Sequence, residues 1–155
     1  MLSVMAKYSN ILVGTDGSPT ATHAVSTAVD LASAFGARLH VVSSAPITNS
    51  AYLGPELVGI GDAVARCDAA QREQAWATLE AARAEGARRG IETDVHQCQG
   101  DAAEAICRVA ETVRADLVVV GNRGMTGARR FLGSVPNKVS HHAPCSVLIV
   151  DTASS

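Results

Sequence analysis

Five short apolar runs, rich in valine, isoleucine and leucine, recur along the chain with helix-forming segments between them. They occupy Asn10–Gly14 and residues 38–42, 91–98, 117–120 and 147–150. Runs of this length and composition, bounded by turn-forming residues, read as β-strands. The run at 117–120 is apolar at every position, the pattern of a parallel strand covered on both faces. Strands that alternate with helices in this way specify right-handed crossovers and an open, doubly wound parallel α/β sheet between two helix layers. At 155 residues, 47% of them hydrophobic, the chain has the size and apolar content of one domain, with a core expected over residues 8–151.

The helices announce themselves by caps and spacing. Ser18 followed by Pro19 is a helix start, Ser18 capping and proline in the first helical position. Ala24, Val25, Ala28, Leu31, Ala32 and Phe35 recur at helical spacing, and Gly36 closes the segment. Residues 46–61 hold two prolines and three glycines without periodicity and are predicted to form a long loop. With Leu57, Val58 and Ile60, that loop reads as a lid or partner surface, or equally as packing against its own domain. An alanine-rich helix is predicted over 62–86, with Ala75, Leu79, Ala82 and Gly86 on one face. Asp101 caps a third helix whose face is Ala102, Ala105, Ile106, Val109 and Val113, and Glu104 stands where a capping-box partner belongs. A short helix follows over Ser134–His142, stopped by Pro144, and residues 152–155 are predicted to fray.

Charge narrows the function classes. A formal net charge of −2 is unlike the strongly basic balance of a general nucleic-acid binder. No apolar run approaches the roughly 20 residues needed to span a bilayer, and the first residues lack a stretch of signal-peptide length. Cys67, Cys98, Cys107 and Cys145 show no CxxC spacing, so neither a zinc knuckle nor a redox pair is indicated. These features point to a cytoplasmic protein. Within it, residues 117–150 carry no acid, yet hold Arg123, Arg129, Arg130 and Lys138. That segment tolerates an anion.

Ligands of open parallel sheets bind beyond the carboxyl ends of the strands, where strand order reverses. After the first strand come Thr15, Asp16, Gly17 and Ser18. Asp16 there is either a turn carboxylate or one that faces a ligand hydroxyl or a metal. After the fourth strand, residues 121–134 contain four glycines, three arginines and no acid. Gly121 and Gly124 let the backbone turn sharply and expose N–H groups. Gly133 and Ser134 open the next helix, whose N-terminus suits an anion. The bland alternative is an ordinary connection to a capped helix. GxxxxGK[ST], GxGxxG after the first strand, and GxSxG are all absent, which disfavours a Walker nucleotidase, a classical dinucleotide fold and a serine hydrolase. His23, His40 and His96 are isolated in sequence, and the adjacent His141 and His142 lack metal-ligand spacing; all five read as structural.

Three motifs together, ILVGTDGS (11–18), VGNRG followed by GSVPNKV (120–124 and 133–139), and HAPCSVLIV (142–150), resemble the universal stress protein family over residues 10–150. The resemblance implies a five-stranded sheet of order 3-2-1-4-5, similar to adenine-nucleotide alpha-hydrolase folds, homodimers joined through strand five, and adenine-nucleotide binding in a stress response. It places Asp16, beside Thr15, near ribose and phosphates, and the backbone of Val42 or Ser43 near adenine; a metal at Asp16 would be Mg²⁺. Val120 and Gly121 would line the nucleoside, while Arg123, Gly124, Gly133, Ser134 and Val135, with Arg129 nearby, would enclose ribose and phosphates.

The family's ATP signature, G-x2-G-x9-G-[ST], is shortened here, because eight residues separate Gly124 from Gly133. The SVPxxV continuation is similar to that of members that bind cyclic AMP. The reading is therefore a sensor or regulator that binds ATP, AMP or cyclic AMP. Two rivals stand beside it, a slow Mg²⁺-dependent ATPase and a nucleotide-free dimeric interaction protein. No nucleic-acid or membrane partner is expected, and no residue identifies a protein partner.

Overall fold

The computed structural model describes residues 7–47, 58–122 and 134–152. Five strands and four helices alternate: β1 (Asn10–Gly14), α1 (Pro19–Phe35), β2 (Arg38–Ala45), α2 (Val58–Arg88), β3 (Thr93–Gln99), α3 (Ala102–Thr112), β4 (Leu117–Gly121), α4 (Ser134–His142) and β5 (Ser146–Val150). The sheet has the order β3-β2-β1-β4-β5, and every pairing is parallel. Both the class and the order match the sequence reading.

Alternation of side chains along the strands splits the core in two. Ile11 and Val13 of β1, Leu39 and Val41 of β2, and Val119 of β4 pack under α1 and α2 against Ala24, Val25, Ala28 and Leu79. Leu12, Val42, Val118 and Val120 point the other way, against Ile106, Val109 and Val139 of α3 and α4. The start of the central pair is tied by Asp116, whose Oδ2 accepts from the N–H groups of Ser9 and Asn10 at 2.7 and 2.8 Å. α1 begins and ends as its caps dictate. Ser18 Oγ accepts from Ala21 N–H at 3.2 Å, Pro19 stands in the first turn, and Gly36 is left-handed with φ 64°.

Four expectations are corrected. Residues 58–61 belong to α2, not to a loop, and residues 48–57 of the predicted loop lie outside the described residues. The same helix runs past its predicted end at residue 86 to Arg88. A Cβ at Gly86 would collide with Thr93 Oγ1, so the glycine serves the close approach of α2 to β3. β2 continues to Ala45 because β3 pairs with it that far, Ala45 against Gln99. Thr152 is buried and hydrogen-bonded instead of frayed, and residues 153–155 of that predicted tail lie outside the described residues.

His40 and His96, far apart in sequence, meet on the α3 side of β2 and β3, with Nδ1 of His40 3.3 Å from Nε2 of His96. His40 Nε2 lies 3.4 Å from Asn10 Oδ1, an atom that can only accept. Both ring nitrogens of His40 thus have a polar neighbour, His96 on one side and Asn10 on the other. Asp94 Oδ2 stands 3.7 Å from Nδ1 and is itself held by Arg38 Nε at 2.6 Å. Burial holds both imidazoles below their ordinary value; the neighbouring His96 lowers His40 further, and Asp94 opposes the shift.

The unfolded chain thus takes up protons on these rings at higher pH than the folded one. Their contribution to stability is complete above about pH 6.5 and is lost as the pH falls toward and through the depressed folded values. Urea unfolding followed from about pH 7.5 to 5.5 should show stability falling, and His96→Gln should flatten part of that slope. A variant with the wild-type slope would remove the pair as its source.

Candidate functional site

β1 lies between β2 and β4, and its outgoing helix α1 packs on the opposite face from α3 and α4. The connections therefore part above the carboxyl ends of β1 and β4, and a cleft of about 370 Å³ opens there. Its floor is apolar: Val42, Val120, Ile106, Val135 and Pro136. Gly14 makes room for that floor, since a Cβ there would press on Ile106 Cδ1 at 2.7 Å.

The rim is built from helix starts. The first turn of α1 supplies Thr20 and Ala21, α3 supplies Ala102, and α4 supplies Ser134. The first N–H groups of a helix lack intrahelical partners and carry the positive end of its dipole, so three starts around one cleft favour an anion. Two of the starts are lashed together. Asp101 caps α3 by accepting from Glu104 N–H at 3.0 Å, and its other oxygen accepts from Lys138 Nζ of α4 at 3.0 Å. The Glu104 N–H bond and then the Lys138 ammonium hold the Asp101 carboxyl below its usual range.

The β1–α1 turn is fixed just as closely. Thr15 N–H donates to the Val42 carbonyl at 2.9 Å, which joins the turn to β2. Thr15 Oγ1 accepts from Gly17 N–H at 3.2 Å, and Asp16 Oδ1 accepts from Ser18 N–H at 2.9 Å. Gly17 is left-handed, φ 79°, a backbone that suits glycine. Asp16 is thus a turn carboxylate and a wall residue of the cleft at once. Among the described residues no group of three His, Cys, Asp or Glu side chains converges to hold a metal. A magnesium ion needs less than that when phosphate oxygens complete its shell, and one carboxylate suffices.

Of the residues expected at the site, Thr15, Asp16, Val42, Val120, Gly121, Ser134 and Val135 line the cleft. Ser43 does not; it is buried, and Ser44 takes its place on the wall. Alternation along β2 explains the exchange. Gly100 N–H donates to the Ala45 carbonyl at 2.9 Å, so residues 43 and 45 turn their backbone toward β3, whereas 42 and 44 turn toward β1. β1 has already ended beside Ser44, which leaves that backbone facing the cleft. Arg123, Gly124, Arg129 and Gly133 lie outside the described residues. Sequence reasoning missed Ser44, Thr20, Ala21, Ala102, Ile106 and Pro136; the cap at Asp101 was the signal that a helix start stood near the strand ends.

The model of the universal stress protein family matches residues 7–151. Universal stress protein YxiE of Bacillus subtilis is 33% identical over 92% of this chain and 99% of its own length. A universal stress protein of Thermus aquaticus is 39% identical over 92% of this chain and 98% of its own. Among solved structures, a universal stress protein in complex with cAMP covers 95% of this chain and 99% of its own, at 28% identity and a TM-score of 0.72. A member of the family from Burkholderia pseudomallei covers 94% of this chain and 97% of its own, at 31% identity and 0.69. On the sheet order, the cleft and these matches, the chain belongs to the universal stress protein family.

Proposed function

We propose that the chain binds an adenine nucleotide in the cleft above β1 and β4 and acts in the cytoplasm as a nucleotide-dependent sensor or regulator in a stress response. The observation that carries this reading is the convergence of three helix starts around an apolar floor. An apolar floor suits a flat base, and a rim of N–H donors suits phosphate. The structural neighbour in complex with cAMP supports the choice of base and phosphate class. The base edge meets the Ser44 backbone, Asp16 accepts from ribose hydroxyls or holds Mg²⁺ against phosphate, and Ser134 with the start of α4 takes the phosphate. Arg123, Gly124, Arg129 and Gly133 are proposed to close over the phosphates.

One phosphate is held by backbone donors that do not depend on loop length. The outer phosphates of ATP depend on the eight residues between Gly124 and Gly133, one fewer than the family's ATP signature. Calorimetric titration should therefore show AMP, cyclic AMP and ATP binding within about tenfold of one another, that is, within about 1.4 kcal/mol. Adding Mg²⁺ should strengthen ATP most. No binding of any of the three would overturn the reading, and a hundredfold preference for ATP would show that the short loop still closes on a triphosphate.

Asp16→Asn separates the two duties of that side chain. The amide oxygen still accepts from Ser18 N–H, so urea stability should stay within about 0.5 kcal/mol. Losing the charge should weaken AMP about tenfold or more, the scale of a charge-assisted hydrogen bond. Unchanged affinity would make Asp16 a turn residue alone.

Homodimerisation through β5 completes the proposal. β5 is an edge strand with Leu148 37% exposed, and an unpaired apolar edge calls for a covering partner. Light scattering at tens of micromolar should give a dimer for the wild type and a monomer for Leu148→Arg. A wild-type monomer would remove the interface.

A further inference from the structure

Behind the cleft wall lies a polar cluster that the ligand does not reach. Asn122 follows β4 directly and is buried. Its N–H donates to the Val150 carbonyl at 3.0 Å. Its side-chain Nδ2 donates to Asp151 Oδ1 at 3.0 Å, and its Oδ1 accepts from both N–H and Oγ1 of Thr152, at 2.9 and 2.7 Å. The Thr152 side chain packs on the far side of the wall. A Cβ built on Gly121 would lie 3.5 Å from Thr152 Cγ2 and 3.5 Å from the Thr20 carbonyl oxygen. Gly121 therefore packs against both the first turn of α1 and Thr152, and it lines the cleft.

We infer that Asn122 and Thr152 are positioning residues for the cleft: their clamp sets the place of the Gly121 backbone through bonds to the chain just beyond β5. The inference rests on the nucleotide reading given above. Neither residue lines the cleft, so neither touches the ligand. Both are buried and hydrogen-bonded to each other, and a buried polar network fixes geometry because displacement leaves donors or acceptors unpaired. The wall these two residues hold is one side of the space where the nucleoside would lie. A shift of Gly121 away from Thr20 would widen the cleft at that point, and a rigid, preorganised wall lowers the cost of binding.

Thr152→Val keeps the methyl group against Gly121 and the backbone N–H bond, but removes the Oγ1 donor. AMP affinity by calorimetry should fall about threefold to tenfold, the scale of one hydrogen bond, while circular dichroism shows a folded chain. Thr152→Ser, which keeps the donor, should bind within about twofold of wild type. A general loss of stability in a chain that stays folded does not change Kd, so rescue by serine separates positioning from mere structure. In parallel, amide hydrogen exchange of the ligand-free variants should be faster at Gly121 and Asn122 in Thr152→Val and unchanged in Thr152→Ser. Wild-type affinity in Thr152→Val overturns the inference, and so does unchanged exchange at those two amides. If the wild-type chain itself binds no AMP, the nucleotide reading fails instead, and the exchange measurement alone decides whether Thr152 holds the Gly121 wall.

Discussion

Everything in this molecule is arranged around the burial of β1. The strand is paired on both edges, with β2 on one side and β4 on the other, and covered on both faces by helices. Ile11, Leu12 and Val13 are completely shielded from solvent. A strand in that position has no room for polar side chains, so its chemistry is displaced to the turn where it ends. The turn in turn has to be held, because each of its backbone groups that leaves water must find a partner. Residues Thr15 to Ser18 meet that demand by bonding to β2 and among themselves. The rigidity of the cleft wall is thus a by-product of packing the strand beneath it.

Among the described residues, the cleft gains its electrostatic character mostly from the backbone. Helix starts present N–H groups whose orientation is set by the helix itself, and caps such as Ser18 and Asp101 spend a side chain on one of them. The Asp101 pair with Lys138 keeps two of these starts at a fixed spacing. That ion pair is exposed, so its role is geometric more than energetic. A site of this kind depends on where helices begin, and substitutions on its floor matter chiefly through packing.

The architecture was legible because strand and helix periods differ so clearly along this chain. The apolar run at 117–120, the cap at Ser18 and the glycine at 36 each state a local structure that nothing else in the fold contradicts. The order of the strands came from the motif resemblance, not from periodicity, which is silent on neighbours. Asp16, Gly121 and Ser134 could be read because each directly follows or opens an element that was itself readable. Ser44 could not, since the length of β2 is decided by its pairing with β3. Ala102 and Ile106 were hidden because the path of α3 over the sheet is set by the strand order, which its own periodicity does not reveal. Thr152 misled because a polar residue after the last strand looks like a fraying end until its partner, Asn122, is known.

The central position of β1 also has a consequence for synthesis. Its partner in β4 lies about a hundred residues later in the chain, with Ile11 opposite Leu117. On a ribosome that adds on the order of 5–20 residues per second, β1 and β2 can pair early, but the other edge of β1 has no native partner for several seconds or more. During that interval β1 presents bare N–H and C=O groups along the edge that β4 will cover. A free strand edge of that kind is a template on which another nascent chain can pair. The strand that anchors the finished fold is the one most exposed while the fold is being made.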